Sequence, residues 1–282
     1  MKSNQLLLIT SFLFISILSS CKKDKSITDS ETVIESTFQL STDNTTTDYL
    51  AEDDNEILLE AAEEKSLLGN FGPEPTTNQN FLACATVTVT PLVGFPKLIV
   101  IRFDSTCTNS NGTRRSGVIR IAVSDSVRRA GSTSVMTFEN YYVNNFKREG
   151  THTFTNTSLP GTKSWQRKIE GGKITAPSGR YWLHQSIRNV VQTAGISTPI
   201  VLLDDVYSIT GNGSITNSER VTRTATITQT LQKKNYCPYI DKGTIRYEGP
   251  NHFAVLDYGN GDCDRFAVIS IDGRTPRTIL LP

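Results

Sequence analysis

From Phe81 to the C-terminus the chain breaks into short runs rich in Thr, Val, Ile, Tyr and Phe, each closed by Gly, Asn, Asp, Ser or Pro. In a strand, successive side chains face opposite ways, so alternation of apolar and polar residues marks a sheet with one covered and one wet face. Ile119, Ile121 and Val123 alternate in this way with Val118, Arg120 and Ala122. Thr222, Thr224, Thr226 and Thr228 sit between Val221, Arg223, Ala225 and Ile227. Fifteen runs qualify as strands: 83–90, 97–104, 117–125, 134–143, 150–156, 163–170, 172–176, 180–191, 205–210, 213–216, 222–231, 243–248, 253–258, 265–271 and 275–281. Only 180–191 also reads as helix. No long helical period occurs in this region, which excludes a parallel α/β sheet. The expected fold is mainly β, with antiparallel hairpins and meanders forming a sandwich or an open barrel.

The cysteines test this reading. Four remain after Cys21, and facing residues of a hairpin are centred on its turn. Cys237 and Cys263 centre on residue 250, inside Gly249-Pro250-Asn251, a turn sequence. The same register faces Tyr247 with Phe253 and Ile245 with Val255. Cys84 and Cys107 centre inside Pro91–Pro96, again a turn. There the register sets Val89 against Arg102, which a bulge near Ser105-Thr106 would repair. The expected disulfides are Cys84–Cys107 and Cys237–Cys263, each contributing roughly 3 kcal/mol by closing its loop. Ile101–Cys107 also echoes Leu256–Cys263, as a duplicated β unit would.

Charge divides the chain. Residues 22–80 hold 14 acids and four bases, a net of −10, whereas residues 81–282 hold 14 acids and 24 bases, a net of +10. The acidic segment reads as a largely flexible tether over residues 21–80, with one short helix over 53–68. Acids fill the first turn of that helix, and Ile57, Leu58, Ala61, Ala62 and Leu68 share a side. Opposite charge on the two parts permits the arm to lie on the domain, held by ion pairs that salt would weaken.

The first 20 residues read as a secretory signal: Lys2, then the 13-residue apolar stretch Leu6–Leu18, then small residues. Leu18-Ser19-Ser20-Cys21 resembles the lipobox of bacterial lipoproteins, which implies acylation of Cys21 and anchoring to a membrane by buried acyl chains. Lys22, where an Asp is lacking, implies sorting to the outer membrane, with the leaflet left open. The whole chain resembles uncharacterised cell-envelope lipoproteins with a Thr-rich, disulfide-bracketed β domain, in phrases such as Glu139–Val143, Asp204–Gly211 and Leu256–Cys263. That resemblance implies no activity.

Chemistry-bearing motifs are sparse. There is no Gly-x-Ser-x-Gly elbow, no phosphate-binding Gly-rich loop and no dinucleotide fingerprint. His152, His184 and His252 read as separate surface strand residues, and no metal or cofactor is expected. Asp204-Asp205 is the only adjacent acidic pair of the β region and the place where a hydrolase would begin. Asp257–Asp264 concentrates oxygen ligands but lacks the spacing of a calcium loop. Trp165, Tyr181 and Trp182 could stack a sugar ring, although adjacent aromatics on a strand face opposite ways, so core packing is the stronger reading. Ser105 and Ser126 lie in Asp-Ser/Thr-apolar contexts that resemble O-glycosylation sites of Gram-negative lipoproteins. The reading is therefore a non-enzymatic envelope scaffold or surface protein, with a glycan-binding or adhesive module as the alternative. Its partners would be a membrane through the lipid anchor and a polysaccharide or another envelope protein, not nucleic acid.

Overall fold

Each strand of the protein pairs with its neighbours in sequence, so 13 strands follow one another across a single open sheet. The computed structural model describes residues 25–69, 81–109, 112–198 and 202–282. Cys21 and residues 1–20, expected to be a signal, lie outside the described residues. The elements are α1 (Lys25–Glu64), β1 (Ala85–Thr90), β2 (Lys97–Phe103), β3 (Arg115–Val123), β4 (Thr133–Val143), β5 (Phe146–Asn156) and β6 (Ser164–Thr175). There follow β7 (Tyr181–Ala194), β8 (Val206–Asn217), β9 (Thr222–Lys234), β10 (Ile240–Glu248), β11 (Phe253–Asn260), β12 (Phe266–Ile271) and β13 (Arg277–Leu280). The mainly antiparallel β fold is as expected; its single open sheet is not a sandwich. The ambiguous run at 180–191 is a strand, β7.

Thirteen strands replace fifteen runs because two glycine breaks are bulges rather than turns. The register of β6 on β7 slips between Ile169 and Gly172, and that of β8 on β9 slips between Ile209 and Asn212. A third slip, between Glu149 and Thr151, lets β5 begin at Phe146 rather than at Gly150. Each slip contains a glycine at positive φ: Gly171 at 58°, Gly211 at 135° and Gly150 at 116°. An extra residue at a bulge bends the strand and increases twist, which is what curling a long sheet requires.

The helix overturns the expectation of a flexible arm. It runs for 40 residues, about 60 Å, rather than over 53–68 alone. Its buried positions do not form a stripe. Asp43, Asn44 and Thr45 are consecutive and buried, as are Asp53, Asp54 and Asn55. At 100° per residue, three neighbours cover most of the circumference, so the helix is enclosed, not laid on a surface. The partners of residues 52–56 agree: Arg167 of β6, Arg115 of β3 and Arg148 of β5 bind within one turn, and the Lys233 charge of β9 faces Glu56. Strands lie about 4.8 Å apart, so β3 to β9 would span roughly 29 Å if flat. The sheet therefore curls around the helix. Leu40, Leu50, Ile57, Leu58, Ala61 and Ala62 join the inner residues of β2 to β13 in one core. Ile57, Leu58, Ala61, Ala62 and Leu68 are buried together, as their spacing suggests.

Cys84 is bonded to Cys107, and Cys237 to Cys263, with Cα separations of 5.4 and 5.6 Å. The registers between them differ from those expected. β10 and β11 pair Tyr247 with Ala254 and Ile245 with Leu256, one place further on, with a slip between Lys242 and Thr244. β1 and β2 pair Val89 with Ile99, which removes the clash with Arg102. The surplus chain is taken up between Phe103 and Cys107, where Thr106 N–H donates to the Asp104 carboxylate at 2.9 Å. The two echoing segments end β2 and β11 at separate places in one uninterrupted meander.

Candidate functional site

The acidic excess of the first segment and the basic excess of the second meet inside the sheet. Asp54 accepts hydrogen bonds from Arg148 and His152, both at 2.7 Å, and all three residues are buried. Asp53 pairs with Arg115, Glu52 with Arg167 at 2.7 Å, and Asp43 with Arg180 through two nitrogens. Nearer the helix start, Arg223 donates to the Thr37 hydroxyl at 2.8 and 3.2 Å, and Glu35 pairs with Arg277 at 3.0 Å. Burial alone would raise the Asp54 pKa, but Arg148 and His152 outweigh it, and the net shift is downward. For Asp53 burial wins over Arg115 and the pKa rises to about 6. Burial also lowers the pKa of His152 and, well below the usual value, that of His184. These two imidazoles stand with ring centroids 6.4 Å apart in the core, which corrects the reading of them as separate surface residues. His252 is apart from them, bound to Asp272 at 2.5 Å.

Toward the C-terminal end of α1 the packing opens into a cavity of about 640 Å³. The helix presents Glu52, Asn55, Glu56 and Leu59 to it, and β5 to β8 present Phe154, Trp165, Val190 and Ile209. Trp165 is fixed by an edge-to-face contact with Tyr207, centroids 5.4 Å apart. Glu56 is half-buried because it borders the cavity, yet protein surrounds it. Burial pushes its pKa to about 7, against the pull of Lys233 and with the push of Glu52, Asp53 and Glu60. Lys233 is lowered by burial in turn. Glu60 is already engaged, since it accepts the backbone N–H groups of Phe81 and Leu82 at 2.8 and 3.0 Å. Among the described residues, the lining holds no histidine and no cysteine. The site thus offers a largely apolar chamber, large enough for a small molecule, in which the Glu56 carboxyl is poised near neutrality.

Of the residues singled out from sequence, Trp165 and Asp205 meet in the lining of this cavity, bridged by Tyr207, and the others disperse. Trp165 reaches the cavity. Trp182 is fully buried beside the helix, donating Nε1–H to the Thr47 hydroxyl at 2.9 Å, so it cannot stack a sugar. Tyr181 is half-buried, with the Lys173 ammonium 4.9 Å from its ring centroid. Asp205 is buried: it accepts from Gln192 at 2.6 Å and from the Tyr207 hydroxyl at 2.9 Å. Asp204 accepts from Thr198 at 2.6 Å, so the pair closes a loop and its carboxylates serve as local anchors. Ser105 is exposed in a turn, and Ser126 is half-buried with its N–H on Asp125 at 2.7 Å. Asp257 accepts the Gly259 N–H at 2.8 Å, and no cluster that would hold a metal ion occurs among the described residues. Sequence reasoning missed Glu52, Glu56, Phe154 and Lys233, because nothing along the chain reveals that the helix converges with β5 to β9.

Fold and site together describe an open antiparallel meander closed around its own N-terminal helix, with a large apolar cavity at the C-terminal end of that helix. Compared with protein families, with curated proteins and with solved structures, the chain matches none.

Proposed function

We propose that this chain is a non-enzymatic, lipid-anchored protein of the bacterial cell envelope whose β domain binds one small molecule with an apolar body and a polar head. The cavity carries this reading: about 640 Å³ suits a single small molecule, with Phe154, Trp165, Val190 and Ile209 for the body. Glu56, with its pKa near 7, would accept a hydrogen bond from the head or pair with a cation there. Lipid attachment at Cys21 rests on the lipobox-like Leu18–Cys21, and two disulfides suit an oxidising compartment. Lys22 favours the outer membrane. Ordered packing around buried ion pairs, with the acidic pair Asp204-Asp205 tied into local bonds, supports binding over hydrolysis.

The test is titration with an environment-sensitive phenyl-naphthylamine dye. Saturable emission enhancement at one site per chain, weakened about tenfold in Trp165→Ala, supports the reading; no saturable enhancement overturns it. Glycan binding through Trp165 or Tyr181 is the second reading, favoured only by the half-exposure of Tyr181, and an oligosaccharide panel on the same protein decides it. Anchoring is tested separately by feeding cells an alkyne fatty acid: the label is expected on the wild-type chain and absent from Cys21→Ser.

A further inference from the structure

Most of the carboxylates that line the cavity are already engaged. Glu52 is paired with Arg167 at 2.7 Å, Glu60 accepts the Phe81 and Leu82 N–H groups, and Asp205 is held by Gln192 and the Tyr207 hydroxyl. Lys233 is the base that faces Glu56, but its Nζ donates to the Lys234 carbonyl at 3.1 Å and to the Cys237 carbonyl, so it is turned toward backbone. Among the described residues, no hydrogen bond or ion pair engages the Glu56 carboxylate, which borders the cavity. Glu52, Asp53 and Glu60 also face it, so three acids and one base surround it. The helix sets its depth. The Leu67 carbonyl accepts the N–H of Val127 in the β3–β4 turn, so α1 finishes beside the β3–β4, β5–β6 and β7–β8 turns that line the mouth. There Leu159 and Ile196 line the cavity yet are 69% and 41% exposed, which marks its opening. Glu56 lies two helical turns before Glu64, about 12 Å further in, and Leu59 and Leu68 line the way between.

Building on the small-molecule reading of this cavity, we propose that its ligand is an amphiphilic amine, whose ammonium head pairs with the Glu56 carboxylate and whose apolar body runs past Leu59 toward the mouth. A carboxylate head would add negative charge where three acids already oppose Glu56. An alcohol head would leave that repulsion in place. An ammonium relieves it, and its N–H groups donate to the carboxylate in charge-assisted hydrogen bonds. Burial and the neighbouring acids hold the Glu56 pKa at about 7, and a bound cation is the partner that restores its charge. The rings of Phe154, Trp165 and Tyr207 line the same chamber, and aromatic faces attract ammonium groups as well as apolar surface. The remaining bases of the lining, Arg128 and Lys163, belong to the β3–β4 and β5–β6 turns at the mouth, where water and salt screen them. An anionic head would have to sit there, outside the chamber, and would leave Glu56 without a partner.

Isothermal titration calorimetry at pH 8, where Glu56 carries its charge, with decylammonium, decanol and decanoate compares three heads on one body. The full chain with Cys21→Ser is used, so that no acyl group competes for the cavity. The proposal expects one decylammonium per chain, bound about tenfold more tightly than decanol, with decanoate weaker than decanol. Glu56→Gln keeps the size of the side chain. It should cut decylammonium affinity about tenfold and leave decanol within roughly twofold, with folding checked by a circular dichroism melt. Equal affinity for decylammonium and decanol overturns the proposal, as does an amine preference that survives in Glu56→Gln. Decanoate binding tightest, and weakened by Lys163→Gln, puts the head at the mouth and also overturns it. In each of these cases saturable dye binding leaves the cavity reading standing, whereas a chain that binds neither the dye nor any decyl compound loses both.

Discussion

Replacing Asp54 with alanine strikes the centre of the helix-in-sheet arrangement. Asp54 has no solvent exposure, and it holds two cationic or polarisable groups from β5, Arg148 and His152, each at 2.7 Å. Breaking a buried ion pair by deleting one partner costs about 3–5 kcal/mol, because the remaining charge stays desolvated. Arg148 keeps part of its support: its Nη1 donates to the Leu50 carbonyl at 3.0 Å, and its guanidinium lies 5.2 Å from the Phe138 ring centroid. His152 adds only one lost hydrogen bond, since burial already favours its neutral form. The lower part of the range, about 3 kcal/mol, is therefore expected. For a chain of this size that lowers the melting temperature by roughly 6–12 °C. Thermal unfolding followed by circular dichroism, with disulfides intact, measures it. An Asp54→Leu, Arg148→Met double variant removes both charges and should recover most of the loss. A single variant within about 1 kcal/mol of wild type would refute the reasoning, because it would mean that water reaches this pair.

Two further outcomes follow from the same structure. Glu56 titrates near 7 in the folded chain, above its unfolded value, so ionising it opposes folding: stability should fall as pH rises from about 4.5 to about 7. Glu56→Gln should flatten that part of the curve and raise the melting temperature at pH 8, which a pH series of melts checks. Gly211 sits at φ 135°, and a Cβ there would lie 2.1 Å from the Ile187 carbonyl oxygen. Gly211→Ala should therefore cost about 2 kcal/mol or more in denaturant unfolding, whereas Gly94→Ala, whose Cβ meets nothing within 4 Å, should cost less.

The sheet was legible in the sequence wherever apolar residues alternate. In β3, Ile119, Ile121 and Val123 are buried, and in β9 the threonines face out while Arg223 and Ala225 face in. Glycine misled at Gly150, Gly171 and Gly211, because a bulge and a turn ask for the same backbone freedom. The helix was hidden for a different reason. A helix usually announces itself by an apolar stripe, but this one is enclosed by a sheet whose inner face carries Arg115, Arg148, Arg167 and Arg188. Thr42-Asp43-Asn44-Thr45 reads as part of a flexible tether because its complement lies far along the chain. The opposite charges of the two segments were the only trace of that pairing. The cavity left no local trace, since Glu56, Phe154, Trp165 and Lys233 come from four separate elements.

Hydrogen exchange over residues 37–62, read by mass spectrometry on the disulfide-intact chain, tests most directly whether the helix is the core of the sheet. If it is, those amides open only with the whole domain, and their protection equals that of β3 to β9 at low and at high salt. Exchange complete within seconds, or protection that disappears as salt rises while the strands keep theirs, would contradict it.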